Sequence, residues 1–161
     1  MTTAIYPGSF DPITLGHLNI IRRAASMFPQ VVICVMINAN KTPMFTTTER
    51  VEHIRKVVGR LPNVRVDTFD GLLVEYADRF DHPVVVRGLR AVSDFESEFQ
   101  MALINKKMKP NLETAFLASS EKYTYLSSSM VKEMGRYGAD LSDFVPYEIL
   151  EDVVERIRRN R

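Results

Sequence analysis

The apolar positions of this chain switch between two periods. Short runs rich in β-branched residues, Ala4–Tyr6, Val31–Ile37, Val64–Val66, Val84–Val86 and Ala115–Leu117, have the unbroken hydrophobicity of strands buried on both faces. The stretches between them follow helical spacing instead. Leu18, Ile21, Ala25 and Phe28 form one such stripe, and Val51, Ile54 and Val58 a second. Leu72–Phe80 is a shorter helix, and Phe95, Phe99, Ala102 and Leu103 mark a longer one. Two more helices follow the last strand, near Ser128–Tyr137 and Pro146–Arg159. Thr46-Thr47-Thr48-Glu49 and Ser93-Asp94-Phe95-Glu96 each fit a capping box. Pro146 suits a first helical position, and Gly138 suits the stop of the helix before it.

Strand alternating with helix predicts an α/β fold: a Rossmann-like, five-stranded parallel sheet with helices on both faces and additional C-terminal helices. No repeat, linker or low-complexity tract divides the chain, so one domain spanning 1–161 is expected. If the strand order is 3-2-1-4-5, ligands bind outside the carboxyl ends of the strands, between the first and the fourth. The loops there contain PGSFDPITLGH (7–17) and RGLRAVSDFE (87–96).

Composition narrows the function. The hydrophobic set is 45% and the charged set 25%, ordinary for a soluble globular domain. A formal charge of +1 argues against a general nucleic-acid binder, which would be far more basic. The lone Cys34 lies in an apolar run and permits no internal disulfide, which fits a reducing compartment. No leader pattern and no run of about 20 apolar residues appears, so a cytoplasmic protein without membrane attachment is expected.

Four loops carry candidate chemistry. In the first, Gly8 permits a tight exit from the strand, Asp11-Pro12 turns the chain, and Gly16 lets a ligand approach a helix start to which His17 adds a donor. The same residues also fit a structural turn with an incidental histidine. In NANKTPMF (38–45), Lys41 is either a phosphate partner or simply solvated. Arg87 and Arg90 flank Gly88 at a strand end and need an anion or water. In YTYLSSSMVKE (123–133), three serines run into a helix start where one would suffice as a cap. All four fall on one edge of a parallel sheet, which points to a polyanionic ligand spanning several loops. Neither GxGxxG nor GxxxxGK[ST] is present. His53 and His82 are expected to be solvated, as is the helix end Arg156–Arg159, which could otherwise meet a neighbouring subunit.

YPGSFDPITLGH resembles the GxFDPxxxGH signature of the nucleotidyltransferases related to class I aminoacyl-tRNA synthetases, with Thr14 where HxGH has its first histidine. Together with NKTPMF, RGLRAVSDFESE and YLSSSMVKE, the chain is similar from about Ala4 to Pro146 to the phosphopantetheine adenylyltransferases. That resemblance implies transfer of AMP from ATP to 4′-phosphopantetheine with Mg²⁺, giving dephospho-coenzyme A and pyrophosphate in coenzyme A biosynthesis, by a homohexamer. It implies that Ser9, Phe10, His17, Gly88, Leu89, Arg90, Glu98, Tyr123, Thr124, Tyr125, Leu126, Ser127, Ser128 and Ser129 hold ATP. Ser9, Lys41, Leu73, Arg87 and Asn105 would hold phosphopantetheine, with Leu72, Met101 and Ile104 along its arm. His17, Lys41 and Arg90 would be catalytic, and the metal ligands stay unassigned. The alternatives are a nucleotidyltransferase for another phosphorylated acceptor, a non-catalytic nucleotide or coenzyme A sensor, and an RNA-binding module.

Overall fold

The computed structural model describes residues 1–160. Five parallel strands, β1 (Thr2–Gly8), β2 (Gln30–Met36), β3 (Val64–Phe69), β4 (His82–Leu89) and β5 (Glu113–Ala118), form one sheet in the order β3-β2-β1-β4-β5. The helices are α1 (Leu15–Met27), α2 (Thr47–Val58), α3 (Leu73–Ala77), α4 (Val92–Met108), α5 (Ser128–Arg136) and α6 (Tyr147–Arg159). The strand runs and helical stripes of the sequence fall on these elements.

Alternation along the central strands sorts side chains onto two faces. Ala4 and Tyr6 of β1, Val31, Ile33 and Val35 of β2 and Val86 of β4 pack with Ile21, Ala24, Ile54, Val131 and Ile149 from α1, α2, α5 and α6. Ile5, Val32, Cys34 and Val85 face the other way, against Val74, Tyr76 and Ala77 of α3 and Leu112. Both faces of β1 and β2 are thus covered, which accounts for their unbroken apolar sequence. Cys34 is fully buried, and burial pushes its thiol up to about 12, so it is an inert core residue.

Several sequence expectations need correction. The capping box at Thr46 forms, with Glu49 returning a bond to the Thr46 N–H. The one at Ser93 does not, because α4 starts two residues earlier, with Ala91 as its cap. Asp94 turns back to Arg90 instead. His53 is buried rather than solvated: its ring lies edge-on to Phe45 and its Nε2 is 3.4 Å from Asp152 of α6. Arg156 is no loose helix end either. It lies over the Phe45 ring and donates to Glu49 at 2.5 Å and to the Met44 carbonyl at 2.9 Å, fastening α6 to α2. The apolar stripe of α4 marks a helix correctly but is not covered. Phe95 and Phe99 stack on each other 44% and 45% exposed, and Asn105 is the helix's buried residue. Among the described residues no helix is long and apolar enough to cross a membrane.

Candidate active site

The order of the strands puts a crossover on each side of β1, so the loops leaving β1 and β4 diverge and open a crevice between them. The loop after β1 is held from three sides. Arg50 of α2, itself buried, donates to the Ser9 carbonyl at 2.8 Å and to the Phe45 carbonyl at 3.2 Å. Asp11 accepts from the N–H groups of Met44 and Phe45 at 2.8 and 2.9 Å and from Lys132 of α5 at 3.1 Å. Ser128 donates to the Pro12 carbonyl at 2.7 Å, tying the same loop to the start of α5. The Asp11–Pro12 peptide is cis.

The tight conformation in this loop is not at the glycine. Phe10 has φ +50°, a left-handed geometry that costs roughly 1–2 kcal/mol for a residue with a side chain. Its ring is buried, edge-on to Tyr6 at 5.3 Å and to His17 at 5.0 Å. Gly8 supplies the room, since a Cβ there would stand 3.1 Å from the Phe10 ring.

His17 stands in the first turn of α1 in a reciprocal cap. The Thr14 hydroxyl accepts from the His17 N–H at 3.3 Å, and His17 Nδ1 accepts from the Thr14 N–H at 2.9 Å. A backbone N–H can only donate, so Nδ1 offers its lone pair and the ring proton lies on Nε2. Burial, and next the positive charges of Arg87 and Arg90, push the imidazole down to about 4. At neutral pH it is an uncharged ring with an N–H donor and little basicity.

The arginines of β4 and its exit are already partnered. Arg87 makes a two-pronged pair with Glu98, at 2.8 and 2.6 Å, and donates to the Pro7 carbonyl at 2.5 Å. Arg90 binds Asp94 at 3.0 and 3.2 Å and reaches the Leu126 carbonyl at 3.0 Å, joining the end of β4 to the approach of α5. The pocket's cations are therefore pre-oriented by α4 carboxylates. Lys41, exposed, has no ion-pair partner among the described residues.

Three clefts meet at this edge. The first, about 240 Å³, is lined by ten residues assigned to ATP: Ser9, Phe10, His17, Gly88, Arg90, Glu98, Tyr123, Leu126, Ser127 and Ser128. Leu89, Thr124, Tyr125 and Ser129 do not line it. The second contains Lys41 with Ser9, Ser128, Ser129 and Lys132. The third contains Leu73, Arg87, Met101 and Asn105, with Met36 and Val85 as apolar wall, while Leu72 and Ile104 stay outside its lining. Ser9 and Ser128 belong to the first two, and Pro7, Gly8, Arg87 and Glu98 to the first and third. His17 and Arg90 thus face one cleft, and Lys41 faces the adjoining one. Gly88 packs closely on α1, since a Cβ there would stand 3.1 Å from the Ile20 side chain.

The serines divide their work. Ser127 is the cap of α5, accepting from the Met130 N–H at 3.1 Å, and Ser128 is the latch on Pro12. Ser129 is exposed toward the Lys41 cleft. Sequence reasoning missed Arg50, Asp94, Lys132 and the partners of Asp11. The spacing of Arg90 and Asp94 at i, i+4 was a usable signal; the 121 positions between Lys132 and Asp11 gave none. Among the described residues no group of three or more His, Cys, Asp or Glu could hold a metal ion.

Comparison with known proteins agrees with this geometry. Residues 5–134 match the cytidylyltransferase-like family model. The chain is 51% identical over 160 residues to a phosphopantetheine adenylyltransferase of Caldanaerobacter subterraneus, covering 99% of this chain and 100% of that one. It is 54% identical to that of Heliobacterium modesticaldum, covering 97% and 93%, and 52% identical to that of Desulforudis audaxviator, covering 100% and 96%. A solved structure from Vibrio parahaemolyticus, described as a nicotinate-nucleotide adenylyltransferase, shares the fold with a TM-score of 0.67 at 17% identity, over 95% of this chain and 98% of that one. On its sequence, its parallel sheet and its relatives alike, the chain belongs to the cytidylyltransferase-like family and, within it, to the phosphopantetheine adenylyltransferases.

Proposed function

We propose that this chain transfers the adenylyl group of ATP to 4′-phosphopantetheine, releasing pyrophosphate and forming dephospho-coenzyme A. One observation carries the reading beyond the kinship: the cleft that holds His17 and Arg90, a cationic cleft and an apolar slot meet at Gly8–Ser9, beside a histidine whose free N–H is fixed by its own helix cap.

The chemistry suits these groups. A phosphate monoester has its second pKa near 6 and arrives deprotonated, so it needs no general base. A His17 ring held down at about 4 could not serve well as one. The attacking oxygen forms a bond to the α-phosphorus of ATP, the bond to the bridging oxygen breaks, and pyrophosphate leaves. The obstacle is repulsion between two polyanions, and preorganised donors meet it. Lys41 and Arg87 hold the attacking phosphate. His17 Nε2–H donates to the α-phosphate as charge accumulates there. Arg90 and the start of α5 hold the β and γ phosphates, with Ser129 beside them. The apolar slot at Leu73 and Met101 takes the pantetheine arm, and Asn105 offers it an amide.

Magnesium is proposed to enter with the triphosphate as part of the substrate. The cleft carboxylates Asp94 and Glu98 are committed to arginines, and Asp11 to two backbone N–H groups and a lysine. Such a site has no resident cage to offer, whereas magnesium commonly keeps its waters and binds through substrate phosphates. The uncovered apolar side of α4 supports assembly of further copies, in keeping with the homohexamer that the resemblance implies. Incubation with ATP, magnesium and 4′-phosphopantetheine should yield dephospho-coenzyme A and pyrophosphate. Turnover of another phosphorylated acceptor in preference, or nucleotide binding without turnover, would overturn the reading.

A further inference from the structure

Tyr6 lies near the carboxyl end of β1, two residues before Gly8 ends the strand, and lines the crevice. Its side chain is 6% exposed. The ring is clamped by Phe10 at 5.3 Å and tilted against His17 at 6.4 Å, so it cannot swing out. Every other polar group of comparable burial along this wall has a bond: Thr14, Asp11 and Arg50 are each satisfied by the protein. The Tyr6 hydroxyl has no hydrogen-bond partner among the described residues, yet it lies in the fields of Arg87, Glu98 and Arg90 and borders the cleft.

The hydroxyl oxygen opens onto the cleft rather than being enclosed by protein, so water can serve it until a bound ligand expels that water, after which an unpaired hydroxyl is costly. The bound ligand must therefore satisfy it. Burial pushes the phenol up to about 12, so it stays an O–H and can donate to an anion. Tyr6 and Arg87 line the same cleft, and Arg87 also lines the pantetheine slot, so it stands at the boundary between the two. We propose that Tyr6 is a further substrate-binding residue, its hydroxyl donating to a non-bridging oxygen of the acceptor's phosphate beside Arg87. This rests on the adenylyl-transfer reading above.

The test uses Tyr6→Phe in the full chain, which deletes one oxygen and keeps the ring that packs on Phe10 and His17. Calorimetric affinities for 4′-phosphopantetheine and for pantetheine, which lacks the phosphate, are compared in both proteins. A hydrogen bond to a charged partner predicts a loss of about 10–100-fold for the phosphorylated ligand. Pantetheine binding and the melting temperature should hold. A wild-type preference for the phosphorylated ligand that survives intact in Tyr6→Phe overturns the tyrosine assignment alone. An equal loss for both ligands overturns it too, by placing the hydroxyl on the arm. Wild-type protein that shows no preference between the two ligands would bring down the adenylyl-transfer reading and the tyrosine's role with it.

Discussion

Thr14 and His17 exchange hydrogen bonds in both directions, one hydroxyl-to-backbone and one ring-to-backbone, so the cap of α1 and the tautomer of the imidazole are a single structure. A histidine replaces the glutamate that usually closes a capping box. The helix start therefore decides which ring nitrogen is left free for the cleft.

His17→Ala should lower kcat by roughly 10²–10³, the scale seen when one preorganised donor to a transition state is removed. Affinity for either substrate should fall much less. Steady-state pyrophosphate release decides it: an unchanged kcat with a raised KM would move His17 from the transition state to ground-state binding.

The same imidazole makes folding sensitive to acid. In the unfolded chain it takes up a proton near 6.5, whereas in the fold it resists protonation until about 4. Its folded value is depressed, so the stabilisation is complete above 6.5 and is lost as pH falls toward 4. His53, also held down chiefly by burial, adds a change of the same sign. Urea midpoints should fall across that window, and His17→Gln should flatten part of the slope.

Lys41→Ala should weaken 4′-phosphopantetheine more than ATP, because Lys41 faces the cationic cleft and His17 and Arg90 the nucleotide cleft. Calorimetric titration of each ligand separates them, and selective loss of ATP binding would reject the assignment.

Arg50→Met should cost about 2–4 kcal/mol, since it strands the Ser9 and Phe45 carbonyls that the guanidinium now satisfies in a buried setting. Denaturant unfolding measures the loss. Activity measured well below the midpoint should fall as well, because the Ser9 loop loses its support from α2.

The fold was legible because its evidence is periodic. Unbroken runs such as Val31–Val35 can only be strands covered on both faces, and the helical stripes between them force crossovers. The meeting of four polar loops at one sheet edge followed from strand order alone. What stayed hidden depends on which residues meet across the chain. Arg87 and Glu98 are 11 positions apart and bond only because α4 folds back over β4. His53 looked like a polar helix residue, and its burial is decided by α6, 99 positions away at Asp152. Gly8 reads in the sequence as the residue permitting the tight exit from the strand, yet the left-handed conformation falls on Phe10, whose ring packs against Tyr6. The apolar stripe at Phe95 and Phe99 has the same spacing whether this chain or a second copy covers it.

Because the Arg87 guanidinium belongs to the walls of two clefts at once, an inhibitor designed for either would sense what fills the other. A compound spanning both would meet the same Arg87–Glu98 pair from two sides, so its anionic and apolar parts could not be tuned independently.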